Sequence, residues 1–197
     1  MTIPDGYHDV AAGKLAAVVT CLEMTQPPKP REDPPGVDCT LVRREKPELA
    51  WYRELFRTVG EPVLWYSRLA MNDAELAATI GDPLVEVYAV QRGGDDAGLL
   101  ELDFRVEREC ELGFFGLVES AIGHGAGRWL MNRAIEIAWS HPIERFWVHT
   151  CTLDHPGIVQ FYERSGFRPF KRQIEVFDDP RLQGAIARTA APHVPLL

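Results

Sequence analysis

The sequence is poor in several features that define whole classes of protein. It has four cysteines in 197 residues, and none stands in a CxxC pair. Cys21, Cys39, Cys110 and Cys151 are scattered, which argues against a zinc site and a disulfide framework and fits a reducing cytoplasm. No metal is expected. No apolar run approaches the ~20 residues that a membrane helix needs. The N-terminal stretch lacks a basic region followed by an unbroken apolar one, so neither a membrane span nor a secretory leader is expected. Positive charge is scarce: 21 Lys and Arg face 29 Asp and Glu, a formal net charge of −8. That removes the basic footprint of a nucleic-acid binder, while cationic partners such as amines are attracted. With 46% hydrophobic and 25% charged residues, the composition is that of one globular α/β domain.

Along the chain, residues 15–24 (LAAVVTCLEM) form an apolar strand pattern. Residues 26–36 follow with five prolines, a density that forbids helix and reads as a long surface connection. Residues 40–44 suggest a short strand. Pro47 opens a helix to about Val59, with Leu49, Tyr52, Leu55, Phe56 and Val59 on one face. Asn72 or Asp73 caps a second helix through Ile80. Residues 85–92, 98–105 and 109–118 read as strands, the first two joined by a Gly-Gly-Asp-Asp hairpin turn. Residues 125–140 read as a buried helix whose narrow wet stripe is Arg128, Asn132, Glu136 and Ser140. A strand over 145–152, a helix from Asp154 to Gly166 and one or two strands over 167–177 complete the core. A short helix is expected over 181–188. The order describes a mixed α/β chain around one central, mostly antiparallel sheet.

The most informative segment is Ile122-Gly123-His124-Gly125-Ala126-Gly127-Arg128, which leaves a strand and opens a helix. Alternate glycines let the backbone turn sharply and approach a ligand closely. Free N–H groups at a helix N-terminus attract phosphate, and Arg128 adds a positive charge there. A turn without a ligand is the plain alternative. A dinucleotide site fits poorly, because the third glycine comes one residue early and the next strand ends in His-Thr-Cys-Thr with no carboxylate. The lysine of a P-loop is missing as well.

The run Gly123-His124-Gly125-Ala126-Gly127-Arg128 resembles the pyrophosphate loop of the GNAT (general N-acetyltransferase) superfamily. DHPGIVQFYERSGF, residues 154–167, resembles that superfamily's second hallmark, a helix carrying a tyrosine shortly before Gly-Phe. The resemblance is clear over residues 85–170. It implies a GNAT acyl-CoA acyltransferase fold over residues 37–177, with residues 1–36 and 178–197 as additions. It also implies acetyl-CoA as co-substrate, an amine acceptor, and direct attack in a ternary complex. Two positions depart from the family pattern: Ile122 stands where Gln or Arg is usual, and His155 where Asn is frequent.

The resemblance assigns Gly123, His124, Gly125, Ala126, Gly127 and Arg128 to the diphosphate, the backbone of Leu117 and Val118 to pantetheine, and His155 to the cofactor. Glu111, sixteen residues before Gly127, becomes the general base, with Glu101 and Glu109 as alternatives. Tyr162 becomes the acid for the departing thiolate, although its spacing from Ile158 and Val159 also suits a core residue. Gly113 and Gly116 inside a strand point to a bulge or to close packing. His149 and Cys151 share a strand face, but side chains two residues apart stand ~6–7 Å from each other, so burial competes with a Cys–His nucleophile. Trp51, Tyr52, Trp65 and Tyr66 fall where the family builds its acceptor pocket, or else in the core. The terminal additions could pair with a second copy, so a homodimer stays open. A module on the same fold that binds acyl-CoA without catalysis is the competing reading.

Overall fold

A computed structural model describes residues 3–196. Its strands are β1 (Lys14–Met24), β2 (Thr40–Arg43), β3 (Val85–Arg92), β4 (Asp95–Asp103), β5 (Glu109–Leu117), β6 (Arg145–Cys151) and β7 (Arg168–Asp178). The helices are α1 (Leu49–Gly60), α2 (Ser67–Ala70), α3 (Asp73–Ile80), α4 (Ala126–Ser140) and α5 (Ile158–Arg164). The seven strands form one sheet in the order β2-β3-β4-β5-β6-β1-β7. Every neighbouring pair is antiparallel except β5 and β6.

Local chemistry explains most of these elements. Gly93 and Gly94 adopt φ 61° and 93°, the left-handed pair that a two-residue hairpin between β3 and β4 requires. Asn72 accepts from the Glu75 N–H at 3.0 Å, and the Glu75 carboxylate accepts from the Asn72 N–H at 2.9 Å, a complete capping box for α3. Gly166, at φ 108°, ends the segment after α5.

The sheet separates two cores. On one face, α4 and α5 lay Leu130, Met131, Ala134 and Tyr162 over Leu22, Leu100, Leu112, Phe146 and Val148. On the other, α1 and α3 lay Tyr52, Phe56, Val59, Leu76 and Ile80 over Val85, Val87, Ala89 and Leu99. The N-terminal strand is no appendage to this arrangement. β1 lies between β6 and β7 and pairs with both, so Leu22 belongs to the main core.

Three sequence expectations change. Asn132 is buried rather than wet, because the proline-rich segment crosses α4 there: its amide donates to Arg31 O and Asp33 Oδ1 and accepts from the Arg31 guanidinium. α5 begins at Ile158, not Asp154, because the Asp154 carboxylate is held by the Thr150 hydroxyl at 2.6 Å and the Cys151 N–H at 2.9 Å. Residues 181–188 form turns instead of a helix. The buried Arg181 guanidinium gathers the carbonyls of Ala190, Val194 and Pro195, which winds the tail around one side chain. No helix among the described residues is long and apolar enough to cross a membrane.

Candidate active site

β5 and β6 pair only at Glu109–Glu111 against Arg145–Trp147. Beyond that point β5 stays with β4 as far as Leu117, and β6 stays with β1 as far as Cys151. The two strands therefore diverge, and their facing edges present unpaired main-chain groups. A bulge accompanies the split: Leu112 faces Leu102 while Phe114 faces Glu101, so Gly113 is the extra residue. A Cβ at Gly113 would stand 3.3 Å from Glu101 Oε1. Gly116 answers to packing instead, since a Cβ there would lie 2.4 Å from Val59 Cγ1. Val118 donates its N–H to Ala97 O and accepts at its carbonyl from the Ala121 N–H, so its main chain is already engaged. By alternation the main chain of Leu117 faces the cleft. The two were expected to act together; Leu117 alone has free groups there.

The glycine turn ends near this cleft. Gly123, His124 and Gly125 take φ 94°, 47° and 85°, three successive left-handed residues. For His124 this is a strained conformation that the turn imposes. Ala126 N–H bonds Gly123 O, and Trp129 N–H makes the first α-helical bond to Gly125 O. The N–H groups of Gly123, His124, Gly125, Gly127 and Arg128 have no acceptor among the described residues. No side chain caps α4, and its first turn carries no acidic residue. These are the properties of an anion site. Ala126 is buried; Gly123, His124 and Arg128 are exposed.

The proline-rich segment reaches this turn. Pro28 lies against Gly166, Arg31 donates to Arg164 O at 3.1 Å, Asp33 pairs with Arg133 at 2.9 Å, and Pro34 packs on Gly125. Arg128 donates to Glu32 O at 2.9 Å. The surface connection is thus a strap docked along α4, and it borders the glycine turn on one flank.

Tyr162 projects from α5 into the core, ringed by Phe115, Phe161 and Phe167. Its hydroxyl makes no hydrogen bond among the described residues. Burial, reinforced by Asp154, pushes its pKa far above that of a free tyrosine. The group stays protonated and can donate. His155 Nδ1 accepts from the Gly157 N–H at 3.1 Å, which leaves Nε2–H as its free donor.

On the opposite face of the sheet, the three carboxylates proposed as bases separate cleanly. Glu101 is fully buried, with Oε2 accepting from the Tyr52 hydroxyl and Oε1 from Arg68, each at 2.5 Å. Glu109 is paired with Arg145, which also binds Glu23. Glu111 stands at the point of divergence, and its Oε1 lies 3.1 Å from Nδ1 of His149. The hydrogen bond to Glu111 raises the His149 pKa above the ordinary imidazole value. A pocket of about 300 Å³ opens beside this pair, lined by Asp103, Arg105, Val106, Glu109, Glu111 and Trp147.

Cys151 is no partner for His149. It accepts from the Leu153 N–H at 3.5 Å, and burial raises its pKa, so it rests as a thiol. Of the four aromatic residues expected around the acceptor, Trp51, Tyr52 and Trp65 join the core beneath α1 and α3, and Tyr66 packs apart from them. Tyr52 is core, Trp65 packs with Phe56 and Phe114, Trp51 donates to Asp96, and Tyr66 stacks on Phe177. Sequence reasoning missed the His149–Glu111 pair and the docking of the strap, both of which join distant segments.

The family model described as "Acetyltransferase (GNAT) family" matches residues 45–167. The chain belongs to the GNAT family. A GCN5-related N-acetyltransferase from Sphaerobacter thermophilus shares the fold at TM-score 0.59 and 14% identity, over 86% of this chain and 53% of that one. A functionally unknown conserved protein from Staphylococcus epidermidis gives TM-score 0.57 and 11% identity, over 85% and 63%. Spermidine/spermine N-acetyltransferase SpeG from Vibrio cholerae gives 0.53 and 18%, over 75% and 96%. The chain therefore spans less than two thirds of the first two of these neighbours. At such identities the likeness is one of fold. No curated protein matches the chain.

Proposed function

We propose that this GNAT chain is an N-acetyltransferase that moves an acetyl group from acetyl-CoA to a primary amine by direct attack in a ternary complex. The observation that carries the reading is the divergence of β5 and β6 beside a helix mouth with unengaged N–H groups. A strand-like pantetheine suits the first and a diphosphate suits the second.

In this reading Leu117 pairs with pantetheine, and Gly123, His124, Gly125, Gly127 and Arg128 hold the diphosphate. Ala126 contributes shape, and His155 offers its Nε2–H to the coenzyme. Acetyl-CoA supplies the activated carbonyl when bound. The acceptor enters from the face that carries Glu111, where the pocket wall includes the carboxylates of Asp103, Glu109 and Glu111. Tyr162, kept protonated by burial, donates to the departing sulfur. Full transfer to a thiolate of ordinary pKa ~8.5 would run uphill, so its contribution is a hydrogen bond more than a proton.

Ile122, exposed where the family usually has a polar side chain, favours a second reading in which the chain binds acyl-CoA without turnover. A thiol-release assay with acetyl-CoA and a panel of amines (spermidine, a diamine, an aminoglycoside, an amino acid, a peptide) separates the two. Amine-dependent release of CoA supports the transferase. Binding with no release across the panel supports the second reading.

A further inference from the structure

We infer that His149 is the general base of this site: its Nε2 takes the amine proton while Glu111 holds Nδ1–H as the positioning residue. The inference rests on the acetyltransferase reading and assigns the proton to a different atom from the carboxylate alone.

Four observations lead there. First, the pair bridges β5 and β6 where they part, so both groups stand at the base of the cleft. Second, the Glu111 carboxylate faces Nδ1, which fixes the neutral tautomer as Nδ1–H and leaves the Nε2 lone pair outward, as in other carboxylate–histidine pairs. Third, Nε2 has no partner among the described residues, and about half of the His149 side chain is exposed. Fourth, the other carboxylates are engaged: Glu101 by Tyr52 and Arg68, Glu109 by Arg145.

The charges around His149 act together. Glu111 faces it from β5, Glu175 from β7 and Asp154 from the loop after β6, and all three favour the imidazolium. Cys21 lies opposite on β1 as a neutral thiol, with Lys171 and Arg145 as the nearby cations. An imidazole is ~2 pKa units more basic than an ordinary carboxylate, so it is the better acceptor for an amine proton.

The step balances. The amine lone pair forms the C–N bond, and the nitrogen, made acidic by that bond, gives one proton to Nε2. The C–S bond breaks, and the sulfur leaves as a thiolate hydrogen-bonded by Tyr162. The proton on Nε2 passes to solvent, and the thiolate takes one from solvent.

The test has two arms, both on the full chain. Nitrogen-15 NMR of the histidine rings should show the Nδ1–H tautomer for His149, with a pKa above the ordinary imidazole value that falls in Glu111→Gln. An Nε2–H tautomer, or a pKa indifferent to Glu111→Gln, overturns the pairing whether or not an acceptor is known. In the second arm, kcat/KM for acetyl-CoA-dependent turnover of spermidine, or of the best amine in the panel, is followed against pH. The base works deprotonated, so activity should rise with pH through the His149 pKa. His149→Gln should lose that limb and about 100-fold or more in kcat. Glu111→Gln should keep more activity and move the limb to lower pH. If the limb survives in His149→Gln and vanishes in Glu111→Gln, Glu111 is the base and the inference fails. A wild-type chain that releases no CoA with any amine, yet shows the NMR pairing, sinks the transferase reading and the base role with it.

Discussion

Pro34 occupies the space into which a side chain at Gly125 would grow: a Cβ there would stand 2.4 Å from Pro34 Cβ and 2.6 Å from Pro34 Cγ. Gly125 is therefore fixed twice, by its φ of 85° and by the strap. Gly125→Ala should cost about 1–2 kcal/mol for the left-handed backbone alone and more for displacing Pro34. Urea denaturation of Gly125→Ala, Pro34→Gly and the double variant should show coupling between them. Strictly additive effects would mean that the strap does not rest on the turn.

The strap itself is anchored by Asn132, whose amide makes three hydrogen bonds to Arg31 and Asp33. Asn132→Ala should destabilise the chain by about 1–3 kcal/mol, because buried partners lose their bonds. Amide exchange over residues 31–37 should quicken at the same time. A loss of stability with unchanged exchange there would place the cost elsewhere.

Much of this architecture is legible in the sequence, and the parts that are not share a cause. The capping box at Asn72 and Glu75, the Gly93-Gly94 hairpin and the apolar face of α1 are local patterns, and each predicts its element. The glycine turn and Tyr162 are local too. By contrast, His149 meets Glu111 through a parallel pairing between distant segments, and no short-range pattern encodes that. The insertion of β1 between β6 and β7 is equally non-local. Asn132 looked solvated because helical periodicity reports a polar stripe but not what covers it. The tail differs for a related reason: Arg181 divides its guanidinium between Asp179 and the carbonyls of Ala190, Val194 and Pro195, and that gain overrides helical propensity.

Arg68 and Glu101 form a buried ion pair shared with Tyr52 and covered by the Phe114 ring. Arg68→Met should cost about 3–5 kcal/mol, because it strands the Glu101 carboxylate away from water. Replacing both residues by apolar ones should recover much of that loss. Chemical denaturation of the single and double variants checks it; a mild single-variant effect would mean that water reaches Glu101.

Burial raises the pKa values of Tyr52, Tyr88, Tyr162 and Cys110, chiefly by desolvation. The sign follows from linkage. In the unfolded chain these groups lose their protons at ordinary values, ~8.5 for the thiol and ~10 for the phenols. In the folded chain they keep them. Above those values the folded state holds more protons, so stability falls as pH rises. Urea midpoints should fall modestly through neutrality, where the raised His149 pKa titrates, and decline further from about pH 9 upward. A midpoint unchanged into the phenol range would contradict the burial of these groups.

Tyr162→Phe should lower kcat about tenfold while leaving acetyl-CoA affinity unchanged, since it removes one hydrogen bond to the leaving sulfur and keeps the ring. Steady-state kinetics beside calorimetric titration of acetyl-CoA separates the two quantities. Unaltered kcat would return Tyr162 to a purely structural role in the cluster with Phe115 and Phe167.

Amide hydrogen exchange with and without acetyl-CoA bears most directly on the whole account. Saturating acetyl-CoA should slow exchange at Gly123, His124, Gly125, Gly127 and Arg128, the N–H groups that now lack acceptors, and at Leu117 on the open edge of β5. Millimolar acetyl-CoA that leaves these amides untouched, or that protects only a distant surface, would contradict the placement of the coenzyme between β5, β6 and the mouth of α4.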